Sequence, residues 1–249
     1  MTLEVYVENH HTRDVTPFAA AVRAQGLEPH IHTDHTDYYR LPGHRRWRGN
    51  FQNYLGILED ARRATADWVI VMQDDVSVPD GLFDRMRHIL PHAPGGIVSF
   101  YVPTNGLFQA ALLNGHHVVE TYRSFWIQTL AFRTPAIGEF YDWGVRHIQE
   151  AWNLDGDGGS DDDFLSLMCS HERIVVRVIL PSLVQHDGAG ASLFKTGATV
   201  GKFPRTSDCY DPGFDPATVN WPVAFTTPFL DRGRYGKSDP RYARTRGLL

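Results

Sequence analysis

The segment Asp67-Trp68-Val69-Ile70-Val71-Met72-Gln73-Asp74-Asp75-Val76 limits most strongly what this chain can fold into. A short apolar run ends abruptly in two adjacent carboxylates, which is how a buried strand of an α/β sheet reads. The C-terminal end of such a strand is where these sheets place ligands. Two carboxylates there repel each other and lose hydration, so they need a cation or a strong donor. A hard divalent metal carrying a diphosphate meets that need. A solvated strand-to-loop turn, where Asp is common, is the plainer alternative.

Two later segments bear on the choice. In Gly159-Ser160-Asp161-Asp162-Asp163-Phe164-Leu165, Ser160 or Asp161 is placed to cap an amphipathic helix over 163–171. In Leu180-Pro181-Ser182-Leu183-Val184-Gln185-His186-Asp187-Gly188, a histidine ends an apolar run and enters a Gly-rich loop. Taken in this order, the three segments resemble the GT-A family of nucleotide-sugar-dependent glycosyltransferases over residues 3–195. In that family an acidic DxD-type motif ends a strand and holds a metal on the diphosphate. A later acidic helix start supplies a carboxylate, and a late His often completes the metal site.

Composition agrees with one α/β domain, or one domain with an excursion, large enough for a full core. A net charge of -5 argues against bulk attraction to nucleic acid, though local patches remain open. Two cysteines, Cys169 and Cys209, make neither a disulfide framework nor a thiolate zinc site. Cys169 reads as a small core residue. The N-terminus lacks the basic flank and apolar centre of a signal peptide, and no run approaches the ~20 apolar residues of a membrane span. The expectation is therefore a cytoplasmic protein.

Along the chain, strands are expected at 3–7, 28–33, 67–72, 97–102, 118–120, 124–132 and 174–180. Helices are expected at 18–25, with Gly26 as C-cap, and at 51–65, 79–90, 135–152 and 163–171. This alternation predicts an α/β fold, a mostly parallel sheet with helices on both faces. From Ala189 onward Gly, Pro, Asp and aromatics dominate without periodicity, which predicts an irregular cover over the ligand edge or a flexible appendage. The resemblance divides the chain accordingly, into a GT-A-like (Rossmann-like) nucleotide-sugar-binding and catalytic domain, 1–195, and an irregular C-terminal segment, 196–249, that covers the cleft or contacts the acceptor.

The resemblance also assigns candidate roles. Asp75 aligns with the last acid of the DxD-type motif and is the metal ligand, with His186 completing the site; Asp74 contacts the ribose or a metal-bound water. Gln73 stands where the family has an acid, which puts the ribose role in doubt. Two carboxylates suit Mg²⁺, and an imidazole shifts the preference toward Mn²⁺. Asp34, after the second strand, falls where the family contacts base or ribose, and a turn role explains it equally. Asn50 and Asn53 open the next helix, Asn50 as an N-cap, with a base contact as a second role. Arg45, in His44-Arg45-Arg46-Trp47-Arg48, is placed to grip the diphosphate. At the acidic helix start, Asp162, with Asp161 next, is the expected catalytic base, a capping role being the alternative. Trp126 and Gln128 are candidates to line a sugar or acceptor pocket, core packing being the default for Trp126. An EF-hand at Asp155-Gly156-Asp157 fails, because Ser160 and Ser166 stand where that loop needs Gly and an acid.

The expected activity is transfer of a sugar, with inversion, from a nucleoside diphosphate sugar, UDP-sugars favoured, using Mn²⁺ or Mg²⁺. The acceptor is a saccharide or, because of the basic tail Arg232–Arg246, a hydroxymethylated base in modified (phage) DNA. A sugar-nucleotide-forming nucleotidyltransferase would need a Gly-rich basic loop after the first strand, and Asn9-His10-His11-Thr12-Arg13 has no Gly. A non-catalytic nucleic-acid-binding protein would leave the acidic clusters unexplained.

Overall fold

A computed structural model of the chain describes residues 1–36, 45–102, 106–122, 127–153, 161–186 and 207–230. Strand β1 (Leu3–His10) pairs in parallel with β2 (Pro29–Asp34) and with β3 (Trp68–Gln73). The crossovers are helices α1 (Thr16–Arg23) and α2 (Arg45–Ala61). After β3 come α3 (Leu82–Ile89), β4 (Ile97–Ser99), α4 (Gly106–Leu113), β5 (Val118–Thr121) and β6 (Thr129–Arg133). Then follow α5 (Thr134–Asn153), α6 (Asp161–His171), β7 (Val176–Ile179), α7 (Trp221–Thr226) and β8 (Phe229–Leu230). The eight strands form one sheet in the order β2-β1-β3-β6-β4-β7-β5-β8.

The expected α/β class, with helices on both faces, is what the chain adopts, but the sheet is mixed rather than mostly parallel. β6 runs antiparallel to both β3 and β4, and β5 antiparallel to β7. Hydrophobic patterning identifies a strand without giving its direction. The chain leaves β4 and enters β5 at the same end of the sheet, with α4 between them, so β5 reverses. β6 then inserts between β3 and β4 in the same reversed sense.

Successive side chains of a strand point to opposite faces, and this alternation divides the core. Tyr6, Val69, Val71, Leu130 and Phe132 pack against Phe51, Tyr54 and Leu58 of α2, Ile137 and Phe140 of α5, and Phe164 of α6. Val5, Val7, Ile70, Met72 and Ala131 face Phe18 and Val22 of α1, Leu82 and Met86 of α3, and Trp221 and Phe225 of α7. From Trp68 to Met72, β3 is fully buried, as its continuous apolar run predicts.

Three elements differ from the sequence reading. α2 starts at Arg45, so Asn50 and Asn53 lie inside the helix and do not open it. α6 starts at Asp161 and is buried on all sides over 164–170, not amphipathic, because the sheet, α2 and α5 enclose it. Residues 207–230, aperiodic in sequence, form a 3-10 turn (Pro216–Thr218), α7 and the edge strand β8. Among the described residues no helix is long and apolar enough to cross a membrane. Cys169 and Cys209 are both free and buried.

Candidate site at the carboxyl ends of β1 and β3

Parallel pairing in register sets Glu8 beside Gln73, so the acids that follow β3 emerge next to the turn that follows β1. That turn closes through Arg13 N–H on the His10 carbonyl (2.8 Å) and His11 N–H on the Asp34 carbonyl (2.9 Å). It brings the Arg13 guanidinium onto both acids. Nη1 donates to Asp74 Oδ1, and Nη2 donates to Asp75 Oδ2 at 3.3 Å. Asp74 Oδ2 also accepts from the His10 backbone N–H at 3.3 Å. Thus a guanidinium supplies the positive partner the acid pair requires.

His186 arrives from the segment after β7. Val76 and His186 form an antiparallel bridge, and Ser77 N–H donates to the Gln185 carbonyl (2.7 Å) while Gln185 N–H donates to Ser77 Oγ (2.8 Å). The His186 ring is buried, with Nε2 3.3 Å from Asp75 Oδ2. That contact lacks hydrogen-bond alignment. Among the described residues, Asp75 Oδ1 and both ring nitrogens of His186 are buried without a hydrogen-bond partner. Buried polar atoms left open in this way ask for an explanation, and an ion is one.

The two acids differ in their affinity for protons. Burial pushes Asp74 up to about 6, with Asp75 adding to the effect against the pull of Arg13. Burial would raise Asp75 too, but His186 and Arg13 outweigh it and hold its carboxyl below the ordinary range. Asp75 therefore keeps its charge at neutral pH and is the better cation ligand of the two.

A second polar layer lies on the α2 side of the sheet. The buried Glu8 carboxylate accepts from Asn53 Nδ2 at 2.6 Å and from Gln73 Nε2 at 3.1 Å. At the position where the family pattern has an acid, Gln73 thus serves as a donor to an acid on the neighbouring strand. Asn53 Oδ1 and Gln128 Oε1 are buried here with no partner among the described residues.

The remaining predicted residues divide in two. The Asp34 carboxylate closes the turn after β2, accepting from Thr36 N–H (2.8 Å) and Thr36 Oγ1 (2.7 Å). His10 Nε2 lies 3.0 Å from the Thr36 carbonyl and its Nδ1 3.3 Å from Thr12 N, which orients the ring along this turn. His10, His11 and His35 form a row of ring contacts along this edge, with centroids 4.4 and 5.8 Å apart. Arg45 opens α2, and Asp161 and Asp162 open α6, but their side chains lie outside the described residues. Trp126, Ser160 and the tail from Asp231 also lie outside them. Phe164, in the first turn of α6, packs against Phe51 at 3.9 Å between centroids, which sets the acidic helix start against α2.

Sequence reasoning missed Arg13 and Glu8. The signal for Arg13 was a basic residue in the turn after β1, on the strand that flanks the acid-bearing one. It becomes visible only once β1 and β3 are known to be neighbours.

Among the described residues no group of three or more His, Cys, Asp or Glu is placed to hold a metal. Asp75 and His186 nevertheless fit a divalent ion that draws its other ligands from water and phosphate oxygens, since theirs are the open buried atoms.

No protein-family model matches this sequence, and neither does any curated protein. Among solved structures, 20 chains match. One of them is the crystal structure of A197 from STIV, at 14% identity and a TM-score of 0.40, covering 74% of this chain and 84% of that one. A likeness at that level carries no argument about function.

Proposed function

We propose that this chain is a GT-A-like glycosyltransferase that moves a sugar from a nucleoside diphosphate donor, a UDP-sugar first, to an acceptor hydroxyl with inversion. The reading rests mainly on one observation: buried Asp75 Oδ1 and the His186 nitrogens stand open beside Arg13 at the sheet's ligand-bearing edge. Asp75 and His186 would hold Mn²⁺ or Mg²⁺. When bound, the ion offsets the negative charge that builds on the departing diphosphate.

The chain's own groups do the rest. Arg13 supplies planar donors at the diphosphate end. Asp74, the more readily protonated acid, is available to a ribose hydroxyl or a bound water. The Asn53 and Gln128 carbonyl oxygens offer acceptors for sugar hydroxyls in the layer beside Glu8. Asp162, with Asp161 next, takes the proton from the acceptor hydroxyl as its oxygen attacks the anomeric carbon. The acceptor is a saccharide or a hydroxymethylated base in DNA.

Thermal shift with UDP- and GDP-sugars, with and without Mn²⁺, tests the assignment. Stabilisation should require nucleotide and metal together and reach about 2.7 kcal/mol at a hundredfold excess over Kd. No shift with any combination removes the reading. Arg13 gives the loop after β1 the basic residue that a nucleotidyltransferase also needs. Release of nucleoside diphosphate rather than pyrophosphate separates the two.

A further inference from the structure

We propose that Arg13 is the built-in counter-ion of the acid pair. It competes with the divalent cation for Asp75 and, once displaced, becomes the planar donor for the incoming diphosphate. This inference rests on the metal site proposed above and concerns how that site is loaded.

The geometry supports it in three ways. The guanidinium spans Asp74 Oδ1 and Asp75 Oδ2, and Asp75 Oδ2 also lies 3.3 Å from His186 Nε2. A guanidinium on Asp75 Oδ2 and a dication on its open Oδ1 would share one carboxylate and repel each other, so each weakens the other's hold. Arg13 is also the outermost of the three charges. Its side chain is 21% exposed, against 5% for Asp74 and 14% for Asp75. Finally, its backbone is fixed by the N–H on the His10 carbonyl, so the long side chain can turn outward without moving the turn. The fork that fits two carboxylates fits two phosphate oxygens as well. With Arg13 in place the acids can be buried before any metal arrives.

Electron paramagnetic resonance of Mn²⁺ with the full-length protein measures the competition directly. Arg13→Gln should bind Mn²⁺ alone about 10–100-fold more tightly than the natural chain, the worth of one charged hydrogen bond. In saturating Mn²⁺ the same variant should bind UDP more weakly by a similar factor. Arg13→Lys, which keeps the charge and loses the fork, should bind Mn²⁺ as the natural chain does and still bind UDP more weakly. Unchanged or weaker Mn²⁺ affinity in Arg13→Gln overturns the competition. Natural UDP affinity in both variants overturns the diphosphate role. If Arg13→Gln fails its thermal melt, natural UDP affinity in Arg13→Lys alone overturns the proposal. Should neither the natural chain nor any variant bind Mn²⁺, even with UDP, the metal reading falls and takes this inference with it.

Discussion

Asp74 and Asp75 are adjacent in sequence, yet their surroundings push them in opposite directions, and only Asp75 presents an open oxygen. Asp75→Ala should therefore abolish Mn²⁺ binding in the presence of UDP, and His186→Ala should weaken it more mildly. Calorimetric titration decides this, and unchanged binding in Asp75→Ala removes the ligand assignment. Asp162→Asn keeps size and capping capacity, so donor binding should survive while transfer falls by about 10²–10⁴-fold. If Asp162→Asn is active and Asp161→Asn or Asp163→Asn is not, the role moves to that neighbour; full activity in all three would leave the helix start as a cap. Asn53 carries a structural prediction as well. Its amide donates to a buried carboxylate, so Asn53→Ala should cost about 1–3 kcal/mol in a urea titration. An unaltered midpoint would mean that water replaces the amide. Asp75 and His186 were legible as candidates because each follows an apolar run in the sequence, a one-dimensional signal, although β7 ends at Ile179, well before His186. Arg13 and Glu8 were not, because they matter only through strands brought together by pairing. Asp34 shows the converse. Its sequence position suited a ligand, but its carboxylate is engaged with Thr36 in closing a turn.

At the level of elements, β1 is fastened at its start by Glu4, whose carboxylate accepts from the backbone N–H groups of Thr65 (2.7 Å) and Ala66 (2.9 Å) just before β3. Burial alone would raise the Glu4 carboxyl, but these bonds outweigh it and hold the pKa below the ordinary value. A lowered folded pKa means that the unfolded chain binds the proton first. The contribution is thus present above the unfolded value and is lost as pH falls through the folded one. Urea midpoints should consequently decline as pH falls below the ordinary carboxylate range, and less steeply in Glu4→Gln. Equal slopes in the two proteins would contradict the anchor. The same carboxylate, after burial itself, pushes neighbouring Tyr6 up to about 12, since Tyr6 O–H donates to Glu4 at 3.2 Å. Element type was readable wherever periodicity was strong, as in β3 and α3. Strand direction was not, because β5 and β6 carry the same pattern whichever way they run. The polarity of α6 misled for a related reason. Its serines suggest a wet face, but three neighbours enclose the helix.

At the scale of the whole molecule, residues 207–230 of the C-terminal segment pack onto the domain, with Cys209, Trp221 and Phe225 in its core. Trp221 is buried and donates from Nε1 to the Pro216 carbonyl at 2.8 Å, Ser182 bridges Tyr210, and β8 adds to the sheet edge beside β5. Aperiodic sequence hid this, because single aromatics packing on a sheet face leave no repeating signal. The basic run Arg232–Arg246 follows directly, with six basic residues against Asp231 and Asp239. In a chain of net charge -5, only such a local concentration can meet a phosphate backbone. Two truncations separate the roles. A chain ending at residue 206 loses Trp221 and β8, and it should lose cooperative unfolding, since exposing a buried Trp alone costs about 3–5 kcal/mol. A chain ending at Leu230 keeps every core group described here and should retain both its melting transition and its Mn²⁺-dependent UDP binding. If the acceptor is DNA, the full-length chain should bind duplex or single strands with affinity falling on the order of 10³-fold between roughly 50 and 200 mM salt, as about six phosphates release counterions. The Leu230 truncation should abolish that dependence. Absence of salt-sensitive binding in the full-length chain, with UDP and Mn²⁺ binding intact, would return the acceptor to a saccharide.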